Sequence, residues 1–122
     1  TSGIEDRYLV QMAFMHAMQT GHTSLETALL RMLDLCGEAP PTGAAWRADL
    51  IRRVAGPVAG RPAILNRTVE QAADMTRRFR NVAVHAYDTF DYIQAAESVE
   101  SASLLISQLA PEIARFRQAI DP

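Results

Sequence analysis

The residues that bind this chain most tightly to one kind of fold lie near its C-terminal end. Tyr92, Ala95, Val99, Ala102, Ile106, Leu109, Ile113, Phe116 and Ile120 follow one another at alternating spacings of three and four. Residues so spaced share one face of an α-helix, whereas a strand would scatter them over both of its faces. A seam of about eight turns belongs to a helix that packs lengthwise on others at the shallow angles of bundles and coiled coils. Pro111 interrupts the seam, removes one backbone donor and predicts a kink or a break.

The remainder reads the same way. Residues 4–19 are apolar nearly all round, with Tyr8, Leu9, Met12, Phe14, Met15 and Met18 pointing in several directions. Such a helix is central in a bundle or covered by a partner subunit. Gly21 is expected to end it, and Thr23-Ser24-Leu25-Glu26 has the pattern of a capping box opening a second helix. Leu25, Leu29, Met32 and Cys36 then recur at helical spacing until Gly37. A loop rich in proline and glycine over 38–43 leads to a short third helix with Trp46, Leu50, Ile51 and Val54 on one face. A second loop spans 56–62, and Asn66 is a fitting N-cap for a fourth helix that turns Val69, Ala72, Ala73, Thr76, Phe79 and Ala83 inward. The expectation is an all-α fold: one domain over 1–122, an up-and-down bundle of about five helices. A chain of this length can bury roughly two thirds of its unfolded surface, so it needs no disulfide or metal to fold.

Charge and composition narrow the function. The net charge of −2 excludes a surface that grips nucleic acid by bulk attraction, so any phosphate site must be a local patch. All twelve basic residues are arginine, which fits either the codon bias of a GC-rich genome or selection of forked guanidinium groups for phosphate. Cys36 has no second cysteine to pair with and sits in an apolar pattern, as a buried packing residue. A reducing compartment follows. With no signal-peptide pattern and no run of ~18 apolar residues for a membrane span, the expected location is cytoplasmic. A glycine-rich phosphate loop and a serine-nucleophile elbow are missing, and Cys36, His16, His22 and His85 do not assemble a metal site; no metal and no cofactor are expected. His16, in an apolar helix, and His22, in a turn, are read as structural.

What remains is the end of the fourth helix. Arg77, Arg78 and Arg80 stand within four residues, with no acid between Asp74 and Asp88, and His85 follows. Arginine holds phosphate oxygens through two parallel hydrogen bonds, and histidine moves protons near neutral pH. RNA brings its own nucleophile, the 2′-hydroxyl, so a histidine and an arginine suffice without metal. Arg77 and Arg78 are then candidate RNA-phosphate contacts, or else ordinary solvated charges, and Arg80 in turn could be bridged to Asp74, Asp88 or Asp91. Asn81 either orients His85, one turn on, or caps the helix end. On a straight helix positions 80 and 85 are about 140° apart. Either the helix ends between them, or two copies of the chain converge on one cleft; a composite homodimer site is the favoured expectation.

The stretch Arg80-Asn81-Val82-Ala83-Val84-His85-Ala86-Tyr87 resembles the R-x4-H-x-Y signature of HepT-type toxins in the HEPN superfamily, including the polar residue after the arginine. Trp46 with Leu50, then Arg61-Pro62, then Phe79-Arg80 is similar to one HepT-like branch. The resemblance implies a homodimeric, metal-independent endoribonuclease toxin with Arg80 and His85 in the dimer cleft, supported by Asn81, acting on RNA (transfer RNA among the candidates). It also implies a partner, a minimal nucleotidyltransferase antitoxin of the MNT type, that adds AMP to the motif tyrosine. That tyrosine is Tyr87, whose other reading is a packing aromatic. Many relatives carry an acid where this chain has Ala86. The alternative within the same family is a non-catalytic HEPN subunit that binds the nucleotidyltransferase; outside it, a purely structural helical dimer.

Overall fold

The computed structural model describes residues 2–58, 60–85 and 92–120, without the side chains of 2, 4, 5, 7, 8, 82–85 and 92. Its elements are α1 (Ser2–Leu35), α2 (Trp46–Val54), α3 (Arg67–His85) and α4 (Tyr92–Ile120). Among the described residues there is no strand, only an isolated bridge between Val58 and Arg61. The fold is an all-α bundle, as expected, but with four helices among the described residues rather than five.

The difference lies at Gly21, which does not end the first helix. A glycine inside a helix costs about 1 kcal/mol relative to alanine. Breaking there would instead leave four N–H and four C=O groups to be capped, and would uncouple Met15 from Leu25, Leu29 and Leu33, which are all buried along one helix. The capping-box residues take other partners. Thr23 Oγ1 donates back to the Gln19 carbonyl at 2.9 Å, and Glu26 turns inward and is buried. The real stop is Gly37, at φ +75°. There Gly37 N–H donates to Asp34 O and Glu38 N–H to Leu33 O, both at 2.9 Å, closing the helix with a left-handed residue that only glycine adopts without strain.

Arg61 organises the connection from α2 to α3. Its guanidinium forks onto Glu38, with Nη2 at 3.0 Å from Oε1 and Nε on the other oxygen. The remaining N–H groups reach the carbonyls of Gly56, Pro62 and Arg53. Ile64 and Leu65, both fully buried, donate their N–H groups to Val54 O at 2.7 and 3.1 Å. Asn66 then caps α3 as expected, its Oδ1 accepting from Val69 N–H at 2.9 Å. Its own N–H donates to Glu112 of α4 at 2.6 Å.

Helix α3 lies against each of the other three. It runs antiparallel to α1, because His22 meets Thr76 while Phe14, earlier in α1, packs edge-on against Phe79, later in α3, with ring centroids 5.5 Å apart. The main core joins Leu29, Leu33, Leu50, Val54, Leu65 and Phe116, with Trp46 and Cys36 half-buried against it. A smaller cluster of Met15, Phe79 and Ala95 closes the end at which α3 carries the motif. Ala83 keeps only its backbone among the described residues.

The seam of α4 divides in two. Ala95 and Phe116 face the core, together with Leu105, Ser98 and Glu112, while Val99, Ile106 and Ile120 face outward, Ile106 with 83% of its surface exposed. The helix runs through Pro111 without a break. Pro111 and Ser107 are both on the exposed side, so the Ser107 carbonyl that loses its donor is left to water. No helix among the described residues is long and apolar enough to cross a membrane.

Because Gly21 sits mid-helix with open space around its Cα, Gly21→Ala should raise stability by about 0.5–1 kcal/mol in urea unfolding. A loss of stability would mean that the helix ends there after all.

Candidate active site

The inner face of α3 carries Val69, Ala72, Ala73, Thr76 and Phe79 against the core, and Arg80 continues it one turn beyond Thr76. Arg80 is half-buried. Its Nε is sealed from water with no hydrogen-bond partner. The other described arginines that are not solvent-exposed each contact a carboxylate or a carbonyl: Arg47 lies 3.0 Å from Glu26, although its Nε too has no aligned acceptor, Arg53 donates to the Ala39 carbonyl, Arg61 holds Glu38, and Arg77 holds Asp74 at 2.8 Å. A buried donor with no acceptor is a free-energy cost of about 1–3 kcal/mol, and such groups warrant a functional explanation.

Asp74 is shared. Arg78 reaches its second oxygen at 2.9 Å, so Arg77 and Arg78 form one ion-paired trio with it and Asp74 is not the partner of Arg80. The trio forms part of the wall of a groove of about 670 Å³ between α2 and α3, which also takes in Arg52 and Glu70. Arg52 in turn contacts Asp49 at 3.3 Å. A phosphate entering this groove would compete with carboxylates already in place.

Helix α3 is continuous through His85. The helix therefore does not end between Arg80 and His85, and one of the two geometries open to the motif is removed. Asn81 is exposed, and the helix continues past it, so it caps nothing at that point. The His85 side chain, Ala86, Tyr87, Asp88 and Asp91 lie outside the described residues.

One cluster was not anticipated. His22, read from the sequence as a turn residue, is in mid-helix and buried. The Thr76 hydroxyl donates its one proton to the Ala73 carbonyl at 2.9 Å, so its lone pair receives the Nδ1–H of His22 at 2.8 Å. His22 Nε2 then faces Glu26 at 3.4 Å, one turn on. Neither this contact nor that of Arg47 has the alignment of a full hydrogen bond to the Glu26 oxygen. Burial pushes the Glu26 carboxyl up, but His22 and the positive charges of Arg47 and Arg80 outweigh it and hold the group below its ordinary range. His16, by contrast, is exposed. Among the described residues no three potential metal ligands come together.

A signal for the positive face was present in the sequence. Residues 44–85 contain eight arginines and three acids, a net of +5, while the rest of the chain has four arginines and eleven acids, a net of −7. The overall charge of −2 hides this segregation, which places most of the positive charge on α2, α3 and their connection.

A family model described as HepT-like protein matches residues 13–120. No curated protein and no solved structure matches the chain.

Among the described residues three carboxyls are held below their ordinary range: Glu26, Glu38 through the hydrogen bonds of Arg61, and Glu112 through those of Arg115 and then of the Asn66 amide. A depressed carboxyl contributes stability that is complete above its unfolded pKa and lost as pH falls through the folded one. Urea unfolding should therefore be flat from neutral pH down to about 5 and weaken steadily below about 4.3. Glu38→Gln should flatten that acid limb; a slope identical to wild type would refute the assignment.

Proposed function

The chain belongs to the HepT-like family, and on that premise we propose that it is a metal-independent endoribonuclease, the toxin of a toxin–antitoxin module, cutting RNA at a site shared by two copies of the chain. The observation that carries this reading is Arg80. Among the described half-buried arginines it is the one with neither an ion pair nor a hydrogen bond to another described residue, its Nε sealed and unanswered, and it stands five residues before His85 on one unbroken helix.

The chemistry asks little more. The 2′-hydroxyl oxygen of the RNA attacks its own phosphorus in line; the bond to the 5′-oxygen breaks; a cyclic phosphate and a 5′-hydroxyl result. Arg80 stabilises the charge that builds on the phosphate oxygens. His85 moves a proton from the 2′-hydroxyl or to the leaving oxygen. Positions about 140° apart on a continuous helix are poorly placed to reach one phosphate from the same chain, and a second copy supplies the missing group and a second histidine. Asn81 supports the site, and Arg77 and Arg78 guide the strand once phosphate displaces Asp74.

The apolar surface supports the dimer. Leu9, Val10, Ile93 and Val99 are exposed on the parts of α1 and α4 that flank the small Met15–Phe79–Ala95 cluster. Solvent-exposed apolar side chains gathered at one end mark an interaction surface. An MNT-type nucleotidyltransferase would be the antitoxin, silencing the toxin by adding AMP to Tyr87, which lies outside the described residues. Cytoplasmic RNA, with transfer RNA first to be tried, is the substrate.

With chelator present, the purified protein should cut total transfer RNA and leave cyclic phosphate ends. Arg80→Ala and His85→Ala should each lower kcat by about 10²–10⁴ with stability unchanged. No cleavage above background by any of the three would leave the non-catalytic, partner-binding subunit as the reading, to be tested by nucleotidyltransferase labelling of Tyr87. Val99→Arg combined with Ile106→Arg, on the outward row of α4, should convert a dimer to a monomer in sedimentation and abolish cleavage. Full activity in the monomer would sink the composite site.

A further inference from the structure

The buried charge of Glu26 has no role in the chemistry above, and a buried carboxylate is retained only where something compensates its desolvation. It stands on α1 one turn from His22, which is clasped to Thr76; Arg80 stands on α3 one turn from Thr76. In a helix each Cβ tilts toward the N-terminus, so the stem of Arg80 leans back over Thr76, toward the side of the clasp where Glu26 lies. We infer that Glu26 is the positioning residue for Arg80, a buried counter-charge that draws the guanidinium into place while forming no hydrogen bond to it. This rests on Arg80 being the phosphate-binding group.

The contrast with Asp74 gives the device its sense. Asp74 binds Arg77 and Arg78 directly, at 2.8 and 2.9 Å, and a phosphate must first break those contacts. Glu26 feels the charge of Arg80 yet accepts no hydrogen bond from Arg80 Nε, so it draws on the guanidinium without consuming that donor. Arg47, reaching from α2 at 3.0 Å, and His22 supply the direct contacts that keep Glu26 itself ionised and still. Geometry held in this way matters because small displacements of a catalytic group are expensive in rate.

The test separates this inference from the ribonuclease reading. The Nε–H resonance of Arg80, identified by its disappearance in Arg80→Lys, is followed by ¹H–¹⁵N spectroscopy in the whole chain. In Glu26→Gln it should shift and exchange faster with water, and kcat on RNA should fall roughly ten- to a hundredfold with KM little changed. Glu26→Asp, which keeps the charge but withdraws it by one methylene, should give a smaller shift and recover part of the rate. Should Glu26→Gln fail to fold, the aspartate variant gives the decision by the same resonance. Arg115→Met removes a partner of Glu112, outside this cluster; it should lower the unfolding temperature and leave both the resonance and kcat near wild type. An Arg80 signal indifferent to both Glu26 variants overturns the inference, whether or not RNA is cut. A signal that responds in a protein that cuts no RNA upholds the positioning and rejects the ribonuclease.

Discussion

Arg61 is the tie on which the rest of the bundle hangs. Between Val54 and Arg67 the described residues form no helix, and such a stretch needs its backbone groups satisfied by something other than a regular ladder. One guanidinium does much of it, joining the Glu38 carboxylate after α1 to three carbonyls around the end of α2. With that frame set, Val54 O can receive Ile64 and Leu65, and Asn66 can both cap α3 and hold Glu112 on α4. A lysine, with one point of charge and three donors, could not reproduce this fan of directions. The placement of α2 in turn brings Arg47 to Glu26, so the loop arginine and the inner face of α3 are linked through a short run of polar contacts.

A second theme is how the arginines are occupied. In a chain without lysine, guanidinium groups serve as loop ties, as helix-surface partners and as a candidate site. What separates these uses is the partner. Arg61 and Arg77 are bonded to carboxylates and their charge is consumed locally. Arg80 has no carboxylate bonded to it among the described residues, at the cost of a sealed and unanswered Nε. Substrate binding by such a group starts with the desolvation already done.

Much of this was legible in the residue spacing, and the parts that were not share one cause. Periodicity identified α2, the inner face of α3 and the length of α4, and local chemistry identified Asn66 and Gly37, because caps and positive-φ turns are decided by the residues at hand. Gly21 and the Thr23–Glu26 pattern misled because their outcome is set from a distance. Whether glycine ends a helix depends on what the continuous helix buries, and Glu26 was drawn inward by His22 and by Arg47, 21 positions away in the chain. Spacing also says which side chains share a face but not what covers it, so the seam of α4 could not be divided beforehand into its core row and its outward row. The same holds at the motif. Arg80 and His85 stood out by their spacing, yet which arginine would be bonded to Asp74 and which left unbonded is a property of three dimensions.

The clasp between His22 and Thr76 constrains how this chain can change over time. Replacing Thr76 with valine alone would strand a buried imidazole N–H, and replacing His22 alone would leave a buried hydroxyl short of a donor; each step costs about 1–3 kcal/mol. Exchanging both for apolar residues of matching volume strands neither of them, though it takes from Glu26 one of the groups that hold it ionised. The two positions, 54 apart in sequence, are therefore separated from their apolar alternative by a valley rather than a slope. A lineage crosses it only in one double step or with stability in reserve, and the polar pairing of α1 with α3 is kept in place by the route out of it as much as by its own strength.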